Sequence, residues 1–296
     1  MTRTLLVASA IAMLLAPGAF AADLAVPHIT AKAPPVAADP GHNWSGFYAG
    51  INIGYGWGRS ATAVDFINAG GNAPLSSSAG TFNLDGVTGG GQLGYNWQRD
   101  VFVLSLEADF QGSGRKGSLG ALCAGAPDGL QDGVCTPGHR GDNTFDPALP
   151  VTFDLTQKLD WFGTVRGRLG VVVTPRVLVY GTGGLAYGRV STSGSVSAIN
   201  VGGTPGADGG TFTPVAASFS SSTTKFGWSA GAGVEGAFAD NWSARFEYLH
   251  VDLGTVSGSL ATPVIALSGA PLVVGYRSHI TDNILRVGVN YRFSGT

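Results

Sequence analysis

The side chains of this chain that could support catalysis or metal binding are few and scattered. Its five histidines are His28, His42, His139, His250 and His279. His250 stands two residues before Asp252, a spacing that a hydroxyl–histidine–carboxylate arrangement could use, but no Ser or Thr is marked by its context as a nucleophile. Cys and His residues do not show the spacing of a metal site. The sequence therefore predicts no enzyme, no cofactor and no metal, with His250 near lipid headgroups.

The two cysteines, Cys123 and Cys135, fall in one segment between two predicted strands. In an exported protein, two cysteines so placed favour a disulfide that closes a small ring. Two free thiols are the alternative.

The overall composition favours an all-β protein and excludes several other classes. Charged residues are 12% of the chain, against roughly 25% in an ordinary soluble domain. The 47 glycines are about double the usual share. A net charge of −2 argues against a nucleic-acid partner. Beyond the N-terminal segment, no run of eighteen apolar residues predicts a membrane-spanning helix, so a membrane protein of this composition must span with strands.

The N-terminal segment has the three parts of a secretory signal peptide. Arg3 precedes the apolar run from Leu5 to Leu15, and Ala19-Phe20-Ala21 matches the small-x-small cleavage pattern. The segment that follows is interrupted by prolines and alanines, which suit a flexible periplasmic tether. The predicted division is a signal peptide at 1–21, a tether at 22–43 and an outer-membrane barrel at 44–296.

Eight later segments alternate apolar and polar residues for ten or more positions, the length and pattern of a membrane-spanning strand. In the third segment, Phe102, Leu104 and Leu106 oppose Ser105 and Glu107. The segments are approximately 47–58, 87–97, 101–111, 159–173, 177–190, 225–238, 242–253 and 283–293.

The connections between these segments alternate in length. Those after the second, fourth and sixth segments are short turns, whereas the others are roughly twenty to forty-five residues long, as in outer-membrane barrels. Aromatic residues cluster towards both ends of the segments, as two membrane interfaces require. The sequence thus predicts an all-β, eight-stranded antiparallel transmembrane up-and-down β-barrel with long external loops. Residues 191–223, rich in Ser, Gly and Thr, are expected to form one mobile, surface-displayed loop.

The charges within the strands all lie opposite the apolar face. An Arg facing lipid at mid-bilayer would cost about 2–4 kcal/mol, so these side chains must point into the lumen. A barrel of eight strands is narrow enough for side chains to fill it. Five Arg against four acids favour a structural ion-pair network over a selective channel. The predicted lumen set is Glu107, Asp109, Arg166, Arg168, Glu235, Arg245, Glu247, Arg286 and Arg292.

Several of these strands also resemble a known family. The opening Trp44-Ser45-Gly46-Phe47-Tyr48-Ala49-Gly50 and the closing Arg286-Val287-Gly288-Val289-Asn290-Tyr291-Arg292-Phe293 are similar to alphaproteobacterial outer-membrane immunogenic proteins, with further matches at 89–98, 180–187 and 245–249. These are porin-family small β-barrels related to the OmpA-like membrane domain. The resemblance implies a surface antigen with a structural or envelope-integrity role, among outer-membrane lipid and lipopolysaccharide, inserted by the barrel-assembly machinery.

One feature departs from that family. Such chains usually end on the aromatic residue of the last strand, whereas Ser294-Gly295-Thr296 follow Phe293 here. The three added residues either alter recognition by the assembly machinery or are tolerated as a short tail.

Three alternatives accompany the structural role. A narrow channel for small solutes would be distinguished by its conductance. A receptor or adhesin that binds an extracellular ligand through its loops would lose binding on deletion of 191–223 or 115–157. A lipid-modifying enzyme is the most distant alternative, and would require activity that His250→Ala abolishes.

Overall fold

The structure is a computed structural model that describes residues 42–68, 74–123, 151–202, 211–267 and 270–293. The predicted signal peptide, nearly all of the tether and the two cysteine side chains lie outside the described residues. The described residues form eight antiparallel strands that close in sequence order into one barrel, as predicted. The strands are β1 (Gly46–Asn68), β2 (Pro74–Arg99), β3 (Phe102–Cys123), β4 (Val151–Thr174), β5 (Val177–Gly202), β6 (Thr211–Ala239), β7 (Trp242–Leu267) and β8 (Ala270–Arg292). None of the described residues belongs to a helix long and apolar enough to cross a membrane.

The strands are about twice as long as a membrane crossing requires. They contain 22–29 residues, which at about 3.3 Å per residue and a tilt of about 40° span roughly 55–75 Å along the barrel axis. The apolar band of an outer-membrane barrel is about 25 Å tall. The wall therefore continues well beyond the bilayer on the side opposite the short turns.

This extension corrects the predicted strand limits. Residues 191–223 were expected to be a loop, but β5 continues to Gly202 and β6 begins at Thr211, with Ser197 paired to Ala216. Residues 115–123 and 151–157 likewise belong to β3 and β4. Most of three of the four long external connections, those after the first, fifth and seventh segments, is thus paired strand, whereas the short turns at 100–101, 175–176 and 240–241 stand where the sequence placed them.

Two parts of the wall differ in which face is apolar. The membrane half comprises 46–58, 86–99, 102–114, 161–174, 177–188, 225–239, 242–251 and 283–292. There Ile51 and Ile53 are exposed on the outside while Asn52 is buried inside. The external half comprises 59–68, 74–85, 115–123, 151–160, 189–202, 211–224, 252–267 and 270–282. There Val64 and Phe66 are buried inside, between outward Ala63 and Asp65.

Aromatic residues on the outside mark both edges of the membrane half. At the external edge, Phe110 lies 5.4 Å from Trp161, and Trp161 lies 6.2 Å from Tyr187, between ring centroids. At the periplasmic edge, the Trp242 and Tyr291 rings are 5.0 Å apart. These two rows are the aromatic belts that the two membrane interfaces favour.

Inside the external half lies an apolar core. Phe219 stacks between Phe153 and Tyr276, at centroid distances of 6.4 and 5.6 Å. The inward residues of β1, β2, β4, β5, β7 and β8 pack around these rings. The buried members include Val64, Phe66, Phe82, Leu84, Phe153, Leu155, Val190, Val196, Val256, Val274 and Ile280. This half is therefore built like a water-soluble barrel, apolar within and polar without.

A β-bulge changes which side chains of β4 face the lumen. The pairing of β3 and β4 shifts between Gly112 and Arg115 without changing the alternation of β3, so Arg115 keeps the inward parity of Glu107 and Gln111 and is buried. The pairing of β4 and β5 shifts between Leu159 and Trp161. Leu159 is consequently buried, although strict alternation had placed it on the lipid face beside Trp161. An inserted residue reverses the faces that follow it, so alternation across a bulge gives the wrong side.

Candidate functional site: the charged lumen of the membrane half

Eight of the nine side chains of the predicted lumen set form one buried cluster, which we call the lumen cluster. Each is at most 4% exposed. Cross-strand register explains how they meet, because Glu107 is paired with Arg166, Glu235 with Arg245, and Glu247 with Arg286. The lumen cluster consists of Glu107, Asp109, Arg166, Arg168, Glu235, Arg245, Glu247 and Arg286.

Glu107 is the centre of the lumen cluster. Its Oε1 accepts a hydrogen bond of 2.6 Å from Arg166 Nη2. Its Oε2 accepts from Arg168 Nη1 at 3.2 Å and from Arg245 Nη1 at 2.5 Å, although Arg245 belongs to β7 on the other side of the barrel. The Tyr48 hydroxyl donates to the same oxygen at 2.6 Å. One carboxylate therefore ties three strands across the lumen.

Asp109 and Glu247 hold the two arginines on the external side of Glu107. Arg166 donates to Asp109 Oδ2 at 3.0 Å and to Glu247 Oε1 at 2.9 Å. Arg286 donates to the same Asp109 oxygen at 2.9 Å and, through Nε, to Glu247 Oε2 at 2.7 Å. Each arginine thus bridges both carboxylates, an arrangement that uses the fork of the guanidinium group.

On the periplasmic side of Glu107, Arg168 lies between an acid and two tyrosines. Its Nη2 donates to Glu235 Oε2 at 2.7 Å, and its guanidinium carbon lies 3.8 Å from the centre of the Tyr180 ring. Two glycines on neighbouring strands make room for the tyrosines. A Cβ at Gly94 would lie 2.5 Å from the Tyr48 hydroxyl, and one at Gly233 would lie 2.5 Å from that of Tyr180.

Neutral amides extend the network from Glu235 towards β1 and β2. Asn290 donates to Glu235 Oε1 at 2.8 Å, Gln92 donates to Asn290 at 2.7 Å, and Asn52 donates to Gln92 at 2.6 Å. Asn52 and Gln92 thus connect β1 and β2, which contribute no charge to the lumen cluster, to its hydrogen-bond network.

The ninth predicted residue, Arg292, lies apart from the lumen cluster. Its Nη2 donates to the carbonyl of Asp240 at 3.1 Å and its Nη1 to that of Ser45 at 3.5 Å, at the periplasmic rim. Alternation directs Arg292 inward correctly, but β8 ends there and the side chain reaches the turn instead of a carboxylate.

The sequence prediction missed a further buried pair. Arg115 and Asp282 form an ion pair inside the barrel, on the external side of the lumen cluster. Arg115 has the inward parity of β3 but lies beyond the predicted end of that segment at 111, and Asp282 lies one residue before the predicted last segment. Omitting Arg292 and including this pair, the named interior charges are five Arg and five acids.

Below the cluster, the periplasmic mouth is covered by the residues that precede β1. Trp44 is 2% exposed and packs with Val103, Leu178, Tyr180 and Ala237. His42 holds this segment to the β4–β5 turn through a hydrogen bond of 2.9 Å from its backbone N–H to the carbonyl of Pro175. Burial lowers the pKa of His42, and the nearby positive charges lower it further, which favours the neutral ring.

Comparisons with known proteins identify the family. The family described as "Outer membrane protein beta-barrel domain" matches residues 19–293. The chain belongs to this family. It is 36% identical over 286 residues to the 31 kDa outer-membrane immunogenic protein of Brucella melitensis, covering 96% of this chain and 98% of that protein.

A second relative is the 22 kDa outer membrane protein of Rhizobium leguminosarum, 29% identical over 215 residues, which are 72% of this chain and 66% of that protein. Among solved structures, the outer membrane protease OmpT of Escherichia coli matches with a TM-score of 0.42 and 12% identity, over 85% of this chain and 98% of that one. The family match and the Brucella and Rhizobium relatives confirm the predicted family and the predicted location in the bacterial outer membrane.

In this outer-membrane barrel protein, the histidine singled out by the sequence does not meet the neighbouring acid. His250 Nδ1 lies 2.9 Å from the side-chain oxygen of Asn283, which also accepts from the Tyr248 hydroxyl at 2.6 Å. The His250 ring lies 5.3 Å from that of Trp228 in the external belt. Asp252 instead lies 3.5 Å from His279 Nε2. His250 therefore lies among aromatic side chains of the external belt.

In the lumen of the outer-membrane barrel, every carboxylate of the lumen cluster is paired with an arginine. Buried ion pairs cost several kcal/mol per ion in desolvation and are tolerated only with good geometry and additional hydrogen bonds. Each of the four acids in the lumen cluster accepts at least one hydrogen bond from an arginine. Such an arrangement can brace opposite walls of the barrel and occupy the space through which a solute would pass.

Proposed function

We propose that this outer-membrane barrel is a structural, non-enzymatic protein of the envelope, displayed at the cell surface, whose lumen is closed to solutes. The observation that carries this proposal is the lumen cluster, in which four arginines and four acids are at most 4% exposed. A water-filled path through the cluster would expose these side chains to solvent.

Apolar packing on both sides of the lumen cluster supports the same proposal. Trp44 covers the periplasmic end, and the apolar core of the external half lies beyond the other end. A solute would have to displace three successive layers of different chemistry. A narrow channel remains the competing function, and conductance separates the two.

Conductance of the folded protein tests the closed lumen. The mature protein is refolded into lipid, its closed form is verified by heat-shifted gel mobility, and single molecules are recorded in planar bilayers beside a general porin as positive control. We expect no stable steps of uniform size. Reproducible steps from the heat-modifiable species would overturn the proposal in favour of a channel.

Surface display is tested on intact cells. The external half is expected to project beyond the bilayer, so antibodies raised against the folded protein should label intact cells of the producing bacterium. Antibodies raised against the periplasmic turns should label only permeabilised cells. Equal labelling of intact cells by both sera would contradict this orientation.

A further inference from the structure

A shallow groove of about 540 Å³ lies on the outer wall of the external half, across β7, β8, β1 and β2. Small side chains form its floor, and Arg277 and His279 of β8 form one wall. The floor includes Ala61, Ala63, Ala79 and Thr81. Strand pairing keeps the groove in place, because Ala63 is paired with Arg277 and Ala61 with His279.

Arg277 lines this groove, and Arg59 lies two residues before the floor residue Ala61 on the same face of β1. Arg59 and Arg277 are exposed, and neither makes an ion pair or a side-chain hydrogen bond within the described part of the chain. Three acids are nearest in register; Asp85, two residues along β2 from Asn83, the register partner of Arg59, makes no ion pair with that arginine, and the other two are already engaged. Asp252 pairs with His279, and Asp65 accepts a hydrogen bond of 2.7 Å from Ser77. The positive charges at the groove are therefore open to an anionic ligand.

The height of the groove indicates which ligand meets it. Arg59 stands two residues beyond Trp57 of the external belt, and Arg277 is paired with Ala63, four residues farther along β1. At about 3.3 Å per residue and a tilt of about 40°, these positions are roughly 5 and 15 Å beyond the belt. The outer leaflet of this membrane places the acidic sugar headgroups of its glycolipid at that height.

We propose that the groove binds the acidic sugar headgroup of lipopolysaccharide. Arg59 contacts a phosphate or carboxylate near the lipid surface, Arg277 contacts a second acidic group farther out, and the small side chains of the floor admit the sugar rings between them. Guanidinium groups suit such oxyanions because they donate two parallel hydrogen bonds. The proposal rests on the outer-membrane location and does not depend on whether the lumen conducts.

The other side of the external half offers a matched control. Lys116 and Lys158 are also exposed on the outside and are paired across β3 and β4. Acids lie beside them, since Asp85 is paired with Lys116 and Asp160 follows Lys158 by two residues. Removing these two lysines changes the net charge as much as removing the two arginines does, without touching the groove.

The experiment measures binding of fluorescent lipopolysaccharide to the full protein in phospholipid nanodiscs. Four proteins are compared: the unchanged chain, R59Q/R277Q, K116Q/K158Q, and Ala61→Trp, which fills the groove at constant charge. We expect R59Q/R277Q and Ala61→Trp each to weaken binding about tenfold or more, and K116Q/K158Q to change it by less than about twofold. Heat-shifted gel mobility verifies that each variant is folded.

Three results would overturn the proposal. Equal losses in the arginine and lysine variants would show attraction by net charge alone. Unchanged binding by the folded Ala61→Trp variant would show that the groove is not the site. Equally tight binding of the polysaccharide freed from its lipid would show a receptor for soluble acidic glycans, not for the membrane's own lipid.

Discussion

The membrane half and the external half of this barrel are built from the same strands with opposite distributions of polarity. Along β1, Ile51 and Ile53 face outward and Asn52 inward, whereas farther along Asp65 faces outward and Val64 and Phe66 inward. Strand geometry is unchanged across the boundary, because side chains still alternate with a period of two. Only the solvent outside the wall changes, from lipid to water.

The comparison shows that one continuous barrel can have two interiors stabilised by different interactions. In the membrane half, lipid accepts the apolar face at little cost, and the inside must keep its buried charges paired, because a charge left without its partner is strongly destabilising. In the external half, water surrounds the wall and the hydrophobic effect acts on the inside. Each interior should therefore lose stability when the interaction that characterises it is removed: a buried charge in the membrane half and a buried aromatic ring in the external half.

The largest expected effect is at the centre of the lumen cluster. Glu107→Ala leaves Arg166, Arg168 and Arg245 buried with one acid fewer, which should cost about 3–5 kcal/mol of unfolding free energy. The measurement is equilibrium unfolding in lipid vesicles, followed by heat-shifted gel mobility. Asp154→Ala, which removes an exposed carboxylate from the external half, should change stability by less than about 0.5 kcal/mol. Similar values for both variants would mean that the cluster does not stabilise the barrel.

The external half should lose nearly as much from a cavity in its core. Phe153→Ala removes a ring that is 1% exposed and stacks on Phe219, so we expect a loss of about 3–4 kcal/mol. Ser193→Ala on the outside of β5 is the control and should change stability by less than about 0.5 kcal/mol. If Phe153→Ala leaves the unfolding transition unchanged, the external core does not fold cooperatively with the membrane half.

A smaller loss of stability is expected when an arginine is placed on the outer surface, and its size should differ between the two halves. Leu106 faces outward near the middle of the membrane half, and Leu106→Arg should cost about 2–4 kcal/mol because the charge enters lipid. Ser193→Arg places the same side chain on the outside of the external half, where we expect a change below about 0.5 kcal/mol. Equal costs at both positions would show that the bilayer boundary has been misplaced.

Sequence alone predicted the membrane half well and the external half poorly. Strict alternation and the cost of exposing Arg to lipid identified eight side chains that meet in the lumen. The same alternation continues through Val190, Thr192 and Val196, but their outward neighbours are serines, which are equally typical of loops. Composition favoured a loop there, and only cross-strand pairing shows that β5 and β6 continue.

The remaining differences have local causes. Leu159 lies beyond a bulge in β4, and a bulge reverses the faces that follow it, whereas Arg115 and Asp282 lie just outside the predicted limits of their strands. Trp44 precedes the first strand, and its burial in the periplasmic mouth depends on how the segment from His42 meets the β4–β5 turn. Neither a bulge nor such a cap leaves a periodic signal in the sequence.

The most direct test of the inverted polarity is to locate the boundary between lipid and water along the outer face of β1. Single cysteines are placed at Ile53, Trp57, Ala61 and Ala63 in a variant whose Cys123 and Cys135 are replaced by Ser, and each is labelled with an environment-sensitive fluorophore in lipid vesicles. We predict that a lipid-bound quencher reaches the labels at 53 and 57, and a water-soluble quencher those at 61 and 63. Lipid quenching at 61 and 63, equal to that at 53, would contradict a barrel with two oppositely organised halves.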